Sequence, residues 1–229
     1  MKTIGLIGGT SWVSSKEYYR IINEEVEARL GGLNSAKCIL YSLNLADYMD
    51  MKRSGREQDA FALFFHAASS LISSGAGCIL ICSNMGHFYA EELESKIEIP
   101  VIHIADVTAE EIISQNMAKA GLLGTKFTME NDFYKIRLNN NGIEVIIPDQ
   151  PDRDFIDDTI FNELGKGIFS LNAKKRFLEV INKLKDRGVQ GIILGCTEIP
   201  LLIGQEDTDI ILFNTLEIHS KAAVDFALD

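Results

Sequence analysis

The chain lacks the features that mark membrane, secreted and disulfide-stabilised proteins. None of its apolar runs reaches the roughly 18 residues that a membrane-spanning helix needs, and residues 1–5 enter a strand-like run without the pattern of a signal peptide. It contains only four cysteines, and their spacing is not that of a disulfide framework. We therefore expect a cytoplasmic protein with reduced thiols and no membrane association.

Positive charge is also scarce. The 22 Lys and Arg residues are outnumbered by 33 Asp and Glu residues, so the net charge is −11 and the pI is near 4.9. A protein that binds a phosphate backbone needs a basic surface, and we therefore expect no nucleic-acid partner. A small anionic substrate is still compatible with this composition, because a few local cations can override the overall charge.

Motifs for nucleotides and metals are missing. The segment Gly5-x-x-Gly8-Gly9-Thr10 has neither the dinucleotide spacing nor the lysine of a P-loop. Cys78 and Cys82, with His87 nearby, lack the paired spacing of a zinc site, so we expect no metal. The glycine-rich segment has two possible roles: its amides cradle a carboxylate or phosphate at a helix start, or it packs a strand tightly against a helix.

Short apolar runs alternate with amphipathic stretches along almost the whole chain. Continuous apolar runs are typical of parallel strands buried on both faces, so the alternation predicts an α/β fold with mostly parallel sheets flanked by helices. Ser14 and Glu17 predict a capping box for the first helix, which Gly31-Gly32 ends. The predicted strands are 3–8, 37–43, 78–82, 100–104, 119–124, 143–147, 191–195 and 210–213. The first predicted helix begins at Ser14. The others cover 57–74, 87–95, 107–116, 129–140, 154–168 and 172–187.

One predicted strand, together with the residues before it, occurs twice in the sequence. Residues 75–83 align without gaps on residues 188–196, and a Gly-x-x-Gly segment precedes each copy, at Gly5 and at Gly121. The repeat predicts two similar lobes, with a seam near residues 98–106. We assign residues 1–100 plus 210–229 to the first lobe and residues 101–209 to the second.

Each copy ends at a small nucleophilic side chain, Ser83 in the first and Cys196 in the second. Small polar residues directly after a buried strand are costly unless they face a cleft or find partners. If the two lobes face one another, Ser83 and Cys196 flank a single cleft from opposite sides. That arrangement suits an acid and a base that act on two faces of one carbon.

Five motifs are spread over nearly the whole chain: Gly8-Gly9-Thr10-Ser11-Trp12, Ser83-Asn84-Met85-Gly86-His87, Leu122-Leu123-Gly124-Thr125, Asn131-Asp132-Phe133-Tyr134 and Gly195-Cys196-Thr197-Glu198-Ile199. They are similar to motifs of the aspartate/glutamate racemase family, in particular of its bacterial aspartate racemase and broad-specificity amino-acid racemase branch. The resemblance implies two α/β lobes related by a pseudo-twofold axis, an active site between them, a homodimer and no cofactor.

In this family a cysteine from each lobe removes or returns the α-proton of an amino acid. The second cysteine maps to Cys196, whereas the first maps to Ser83, so the acid–base pair is asymmetric here. Cys82 is not expected to replace Ser83, because adjacent strand residues point to opposite faces. The threonine that follows Asn84 in the family is Met85, which leaves only its backbone amide for the substrate.

The resemblance also implies the substrate contacts. Asn84 and Thr197, with the amides around Thr10 and Met85, are expected to hold the α-carboxylate of an acidic amino acid. The hydroxyls of Thr125 and Thr128 would contact the amino acid as well. For a side-chain carboxylate the family offers two cations, which map to Lys52 or Arg53 and to Lys166. His87 is expected to orient its turn, and His219 to start and pack the terminal helix.

Three functions compete. The first is cofactor-independent racemisation of aspartate and/or glutamate, with Cys196 as a thiolate whose pKa is lowered by helix N-terminal amides. The second is a decarboxylase of the same superfamily, in which one thiol protonates an enediolate and Ser83 is only a contact. The third is a catalytically weak or inactive protein that binds an acidic amino acid.

Overall fold

The computed structural model describes residues 1–229 and is an α/β protein with two compact units. One unit comprises Met1–His103 with His219–Asp229, and the other comprises Ile104–Ile218. Each contains one parallel sheet flanked by helices, as predicted. No helix is long and apolar enough to cross a bilayer.

The first unit has a three-stranded parallel sheet in the order β2-β1-β3. Both β1 and β3 are fully buried, which explains their uninterrupted apolar sequences. The elements are β1 (Ile4–Gly8), α1 (Trp12–Leu30), β2 (Cys38–Ser42), α2 (Leu45–Arg53), α3 (Glu57–Ser73), β3 (Cys78–Ile81), a 3₁₀ helix (Met85–Tyr89) and α4 (Ala90–Glu94).

The second unit has a four-stranded parallel sheet in the order β5-β4-β6-β7. Its elements are α5 (Ile104–Ser114), β4 (Lys119–Gly124), α6 (Lys126–Glu130), α7 (Asp132–Asn140), β5 (Glu144–Ile146), α8 (Gln150–Asn162), α9 (Leu171–Asp186), β6 (Gly191–Gly195), β7 (Ile211–Asn214) and α10 (Thr215–Leu228), with 3₁₀ helices at Leu164–Lys166, Ile199–Leu201 and Gln205–Asp207. The residues of α10 from His219 onward belong to the first unit.

The duplicated strands occupy matching positions in the two sheets. In sequence order, the first strand of each unit pairs with the second on one side and with the third on the other. The third strands are β3 and β6, which are the two copies of the repeat. Since neighbouring parallel strands end at the same edge, Ser83 and Cys196 each follow a buried strand at the carboxyl edge of its own sheet.

Two boundary predictions were wrong. Residues 210–218 lie in the second unit, because β7 pairs with β6 and extends that sheet. The predicted strand 100–104 is reduced to one bridge between Val101 and Ile79. Pro100 has no N–H to donate to a strand, and α5 begins already at Ile104.

The first helix also starts differently from the prediction. Its N-cap is Ser11, whose hydroxyl accepts a hydrogen bond from the Ser14 amide at 3.3 Å. Ser14 and Glu17 lie inside the helix, so the predicted capping box is wrong. Gly31 ends the helix with a φ of 69°, as expected for a glycine C-cap.

Candidate functional site

Ser83 lies in a tight turn directly after β3. Its hydroxyl accepts a hydrogen bond from the Gly86 amide at 3.2 Å, and its own amide donates to the Ile81 carbonyl at 2.7 Å. The Nδ1–H of His87 donates to the Ser83 carbonyl at 2.7 Å. His87 therefore orients the turn, as predicted, and the half-buried Ser83 hydroxyl is held in a fixed position.

The rings of three buried histidines lie close together next to this turn. The His87 ring lies 4.6 Å from the ring of His103 and 5.4 Å from that of His219. His219 donates from Nε2 to the Ile102 carbonyl at 2.7 Å, so its Nδ1 accepts from the Tyr18 hydroxyl at 2.8 Å. Burial lowers the pKa of His219 to about 4, which keeps the ring neutral. It packs as predicted, although α10 begins earlier, at Thr215.

The loop after β1 approaches the neighbouring loop very closely. Gly9 has a φ of 82°, and a Cβ there would lie 2.0 Å from the Leu43 carbonyl oxygen. The Gly9 amide donates to the Ser15 hydroxyl at 2.9 Å, so that amide is already used inside the protein. The next residue is Thr10, whose buried Oγ1 has no hydrogen-bond partner. A buried hydroxyl without a partner is unfavourable and leaves a donor and acceptor for a ligand.

Cys82 precedes Ser83 in the chain. Its side chain is fully buried, and burial raises the pKa of its thiol. Its carbonyl oxygen accepts a hydrogen bond from the Ser14 hydroxyl at 3.3 Å, which ties the end of β3 to α1. Asn84 and Met85, the next two candidate contacts after Ser83, are both buried.

Lys52, a predicted cation of the first unit, makes an ion pair with Glu57. Its Nζ donates to both carboxylate oxygens of Glu57, at 2.8 and 2.9 Å, and lies 4.7 Å from the centre of the Phe88 ring. Tyr89 also donates to Glu57 at 2.8 Å. Although burial acts in the opposite direction, these two hydrogen bonds hold the pKa of Glu57 below its usual value. Arg53, the alternative cation, is exposed.

In the second unit, two glycines bring the ends of β4 and β6 together. Gly124 pairs with Gly195 in the sheet. A Cβ on Gly124 would lie 2.8 Å from the Gly195 carbonyl oxygen, and a Cβ on Gly195 would lie 2.9 Å from the Leu123 carbonyl oxygen. Thr125 and Cys196 follow these glycines directly and therefore leave the sheet side by side.

Cys196 donates a hydrogen bond from its thiol to a buried carboxylate. Its Sγ lies 3.0 Å from Oε2 of Glu198, and the Thr197 hydroxyl lies 3.2 Å from the same oxygen. All three side chains belong to buried residues. Burial raises the pKa of the Cys196 thiol well above its usual value, and the negative charge of Glu198 raises it further.

The prediction of a thiolate stabilised by helix amides is therefore wrong for the protein without substrate. Only a three-residue 3₁₀ helix, Ile199–Leu201, follows the cysteine. Its few amides do not outweigh burial and the adjacent carboxylate, so Cys196 is held as a thiol.

Two threonines and an aspartate surround the start of α6. The Thr125 hydroxyl accepts from the Thr128 amide at 3.2 Å and lies 3.0 Å from the Thr128 hydroxyl. Asp157 on α8 accepts from the Lys126 amide at 2.7 Å. Burial raises the pKa of Asp157, and its charge adds to the rise in the pKa of Cys196. The two predicted threonines are thus brought together beside the end of β4.

Lys166 is a predicted cation of the second unit and lies in the short segment between α8 and α9. It ends the 3₁₀ helix Leu164–Lys166, which Gly167 terminates with a φ of 74°. Its side chain is exposed and makes no hydrogen bond or ion pair. The apolar side chains of Ile168 and Phe169, which follow it, are exposed as well.

Glu198 and Asp157 were not among the predicted site residues. Glu198 had a signal in the sequence, because a carboxylate only three residues after a buried strand needs a partner if it is buried as well. Asp157 had none, since it lies on α8, distant in sequence from both threonines. No group of three or more His, Cys, Asp or Glu side chains converges as a metal ion requires.

A family profile and two solved structures similar to this chain are all described as racemases or racemase homologues. The sequence profile described as Asp/Glu/Hydantoin racemase matches residues 7–223. A candidate Asp/Glu racemase from Yersinia pestis has a crystal structure that is 47% identical, with a TM-score of 0.93 and coverage of 100% of both chains. The structure of an aspartate racemase homologue from Pyrococcus horikoshii is 31% identical, with a TM-score of 0.88 and coverage of 100% of both chains.

A curated relative is the broad-specificity amino-acid racemase of Bacillus subtilis. It is 27% identical over 149 residues, which are 64% of this chain and 64% of the relative. The chain thus spans slightly less than two thirds of that relative's length, whereas it spans the whole of both solved structures.

Proposed function

This chain belongs to the Asp/Glu/Hydantoin racemase family, and we propose that it is a cofactor-independent amino-acid racemase that acts on aspartate and/or glutamate. The reaction removes the α-proton from one face of the amino acid and returns a proton to the other. The observation that carries the proposal is the buried Cys196 thiol at the end of β6, hydrogen-bonded to a carboxylate.

Cys196 is the proposed acid and base on one face of the substrate. As a thiol it donates a proton to the α-carbon, and as a thiolate it removes one. The raised pKa of Cys196 favours the thiol, so the side chain already carries the proton that it would donate before substrate binds. The base role requires a group that accepts the thiol proton when the substrate is bound.

Ser83 is the proposed group on the other face. Its hydroxyl is fixed by the Gly86 amide, and its turn is fixed by His87. A serine hydroxyl is a much weaker base than a thiol, since its alkoxide is not accessible at neutral pH without a general base. Ser83 can nevertheless donate a proton or relay one from water, which makes the pair asymmetric.

The α-carboxylate becomes enediolate-like as the proton leaves, so fixed hydrogen-bond donors must stabilise it. Asn84, the Met85 amide and Thr10 are the proposed donors of the first unit. The buried Thr10 hydroxyl without a partner supports this role. Thr197 contributes through its backbone, because its hydroxyl already donates to Glu198. Thr125 and Thr128 complete the proposed contacts.

A side-chain carboxylate would be bound by Lys166, with Lys52 as a second cation. The absence of any ion pair at Lys166 supports its assignment as the first cation, ahead of Lys52. Lys52 would have to exchange its hydrogen bonds with Glu57 for bonds with a substrate. We further propose that the protein is cytoplasmic and that it is a homodimer. Light scattering on the purified protein would test the dimer.

The direct test is incubation with each enantiomer of aspartate and glutamate in D2O. Nuclear magnetic resonance reports loss of the α-hydrogen, and chiral chromatography reports inversion. Exchange accompanied by inversion supports racemisation. Release of CO2 would point instead to decarboxylation, in which Cys196 needs only to donate a proton. Binding without either reaction would point to an amino-acid binding protein.

A further inference from the structure

Asp157 on α8 is a carboxylate with one oxygen that the protein does not use. Its Oδ1 accepts a hydrogen bond from the Lys126 amide at 2.7 Å, whereas its Oδ2 accepts none. The residue is only partly exposed, and burial raises the pKa of its carboxyl group. Because Asp157 forms no ion pair, its partly buried charge lacks the paired cation that such charges usually have.

The neighbouring carboxylates, in contrast, are paired. Asp154 on the same helix forms an ion pair with the Lys126 ammonium at 2.6 Å, and Glu130 forms one with Arg153 at 2.9 Å. Lys126 therefore gives its side chain to Asp154 and only its backbone amide to Asp157. An asparagine would accept the same amide without the cost of a buried charge, so capping α6 does not by itself account for a carboxylate.

The Asp157 carboxylate lies at the edge of the sheet that carries the candidate thiol. Gly124 and Gly195 pair at the ends of β4 and β6, and neighbouring strands are about 4.8 Å apart. Thr125 and Cys196 follow these glycines, and Asp157 is bonded to the amide directly after Thr125. The charge of Asp157 contributes to the raised pKa of the Cys196 thiol. A ligand beside this thiol is therefore exposed to the same charge.

A free amino acid carries one group that the contacts proposed above do not match. Its carboxylates are met by amides, hydroxyls and lysines, whereas its α-ammonium group needs an acceptor. An ammonium donates hydrogen bonds and accepts none, and its strongest partner is a carboxylate. Glu198 already accepts the protons of Cys196 and Thr197 through Oε2. Asp157 is then the carboxylate that is available to the ammonium.

We propose that Asp157 binds the α-ammonium group of the substrate through Oδ2 and thereby selects free amino acids over ligands that lack this charge. The inference rests on the proposed function, which places the substrate beside Cys196. A negative partner keeps the amine protonated, and the positive charge next to the α-carbon favours loss of the α-proton. Among the compounds in the family description, hydantoins carry a neutral ring nitrogen instead. This chain therefore prefers aspartate and glutamate to hydantoins.

The first measurement needs no variant. Isothermal titration compares each enantiomer of aspartate and glutamate with malate and 2-hydroxyglutarate of the same configuration, in which a hydroxyl replaces the ammonium, and with 5-carboxymethylhydantoin. The preferred amino acid should bind at least tenfold more tightly than its hydroxy acid and than the hydantoin, because charge-assisted hydrogen bonds are roughly twice as strong as neutral ones. Equal or tighter binding of the hydroxy acid or the hydantoin would overturn the proposal.

The second measurement repeats the titrations with Asp157→Asn. Asparagine keeps the bond to the Lys126 amide and loses the charge, so the affinity for aspartate should fall tenfold or more while that for malate stays within twofold. Asp158→Asn is the matched control, since Asp158 is an exposed carboxylate on the same helix, and it should leave both affinities within twofold. An equal loss for aspartate and malate in Asp157→Asn would indicate a purely structural cap and overturn the proposal, as would an unchanged affinity for aspartate.

Exchange of the α-proton in D2O separates this proposal from the proposed function. If the native protein binds aspartate but exchanges no α-proton, racemisation is excluded, whereas a selective loss of aspartate affinity in Asp157→Asn still supports the ammonium site. If exchange occurs and its KM is unchanged in Asp157→Asn, racemisation stands and the ammonium site is overturned. Circular dichroism on each variant verifies that the fold is intact.

Discussion

At the scale of single residues, the two strand ends differ in chemistry although their backbones are related. Ser83 is half-buried and held by a backbone amide, whereas Cys196 is buried and donates to Glu198. A thiol and a hydroxyl differ greatly as bases, since free cysteine titrates near 8.5 while a serine hydroxyl does not titrate in the accessible range. The proposed acid–base chemistry therefore depends mainly on Cys196.

Replacing Cys196 by serine should abolish α-proton exchange from both enantiomers, because the only strong base is removed. The expected loss is at least about 1,000-fold, within the range that general acid–base catalysis contributes. Cys38→Ser is the matched control, since Cys38 is partly exposed and is the first residue of β2, at the opposite end of that strand from its carboxyl end. Retained exchange in Cys196→Ser would contradict the role of the thiol, and loss of soluble protein would indicate a structural cysteine.

Lys166→Met should weaken the binding of aspartate or glutamate more than that of alanine. A charge-assisted hydrogen bond contributes about 1.5–3 kcal/mol, which corresponds to a tenfold or larger change in affinity. Lys175 is also an exposed lysine, so Lys175→Met controls for the general loss of positive charge. Isothermal titration with each amino acid measures the effect. An equal loss for acidic and neutral ligands would place Lys166 outside the side-chain pocket.

At the scale of elements, close contacts between backbones position the candidate residues. The loop after β1 touches the loop after β2 at Gly9, and β4 touches β6 at Gly124 and Gly195. A side chain at any of these positions would meet a carbonyl oxygen within 3 Å. The glycines therefore determine where Thr10, Thr125 and Cys196 lie.

Gly9→Ala should destabilise the first unit far more than Gly75→Ala. Both glycines have positive φ, at 82° and 90°, so each alanine pays about 1–2 kcal/mol for a left-handed conformation. Only Gly9 adds a clash, since a Cβ at Gly75 meets nothing within 4 Å. Urea unfolding measures the difference. Equal losses of stability in the two variants would contradict the close approach of the loops.

Much of the element order could be predicted, because buried parallel strands have continuous apolar sequences. Six of the seven strands of the structure lie within predicted runs, and β7 extends one residue beyond the predicted run 210–213. The helix α2 was missed, since its nine residues are too few to show clear periodicity. The pairing of β7 with β6 was missed because a strand that lies outside the repeat carries no signal for its sheet.

The candidate site could be predicted less completely. Ser83 and Cys196 were found from the repeat, since the ends of duplicated strands are visible in sequence. The protonation of Cys196 was predicted wrongly, because it depends on burial and on Glu198, and burial depends on the packing of the whole unit. The contribution of Asp157 to the raised pKa of Cys196 depends on the packing of α8 against the start of α6, and the sequence spacing does not reveal this packing.

At the scale of the whole molecule, α10 links the two units in the chain, since it begins in one and continues into the other. His219 anchors the part that belongs to the first unit, through its hydrogen bonds to Tyr18 and to Ile102. This anchor is a neutral imidazole in a buried environment. The stability of the first unit should therefore depend on pH.

Acidification from pH 6.5 to 4 should destabilise the protein. The pKa of His219 is about 4 when folded and near 6.5 when unfolded, so the unfolded chain binds a proton in this range that the folded chain does not. The stabilisation is fully present above pH 6.5 and falls by on the order of 3 kcal/mol by pH 4. Urea unfolding across this range should show a smaller slope with pH in His219→Gln, and the original slope in His66→Gln, because His66 is exposed. An unchanged slope in His219→Gln would contradict this assignment.

The asymmetry between Ser83 and Cys196 is the central claim, and α-proton exchange of separate enantiomers in D2O tests it most directly. The enantiomer whose α-hydrogen faces Cys196 should exchange readily, and the other should exchange at least about 100-fold more slowly, the scale of one general base. Ser83→Cys should then accelerate exchange and inversion of the slow enantiomer. Equal exchange rates for both enantiomers in the unmodified protein would contradict the claim.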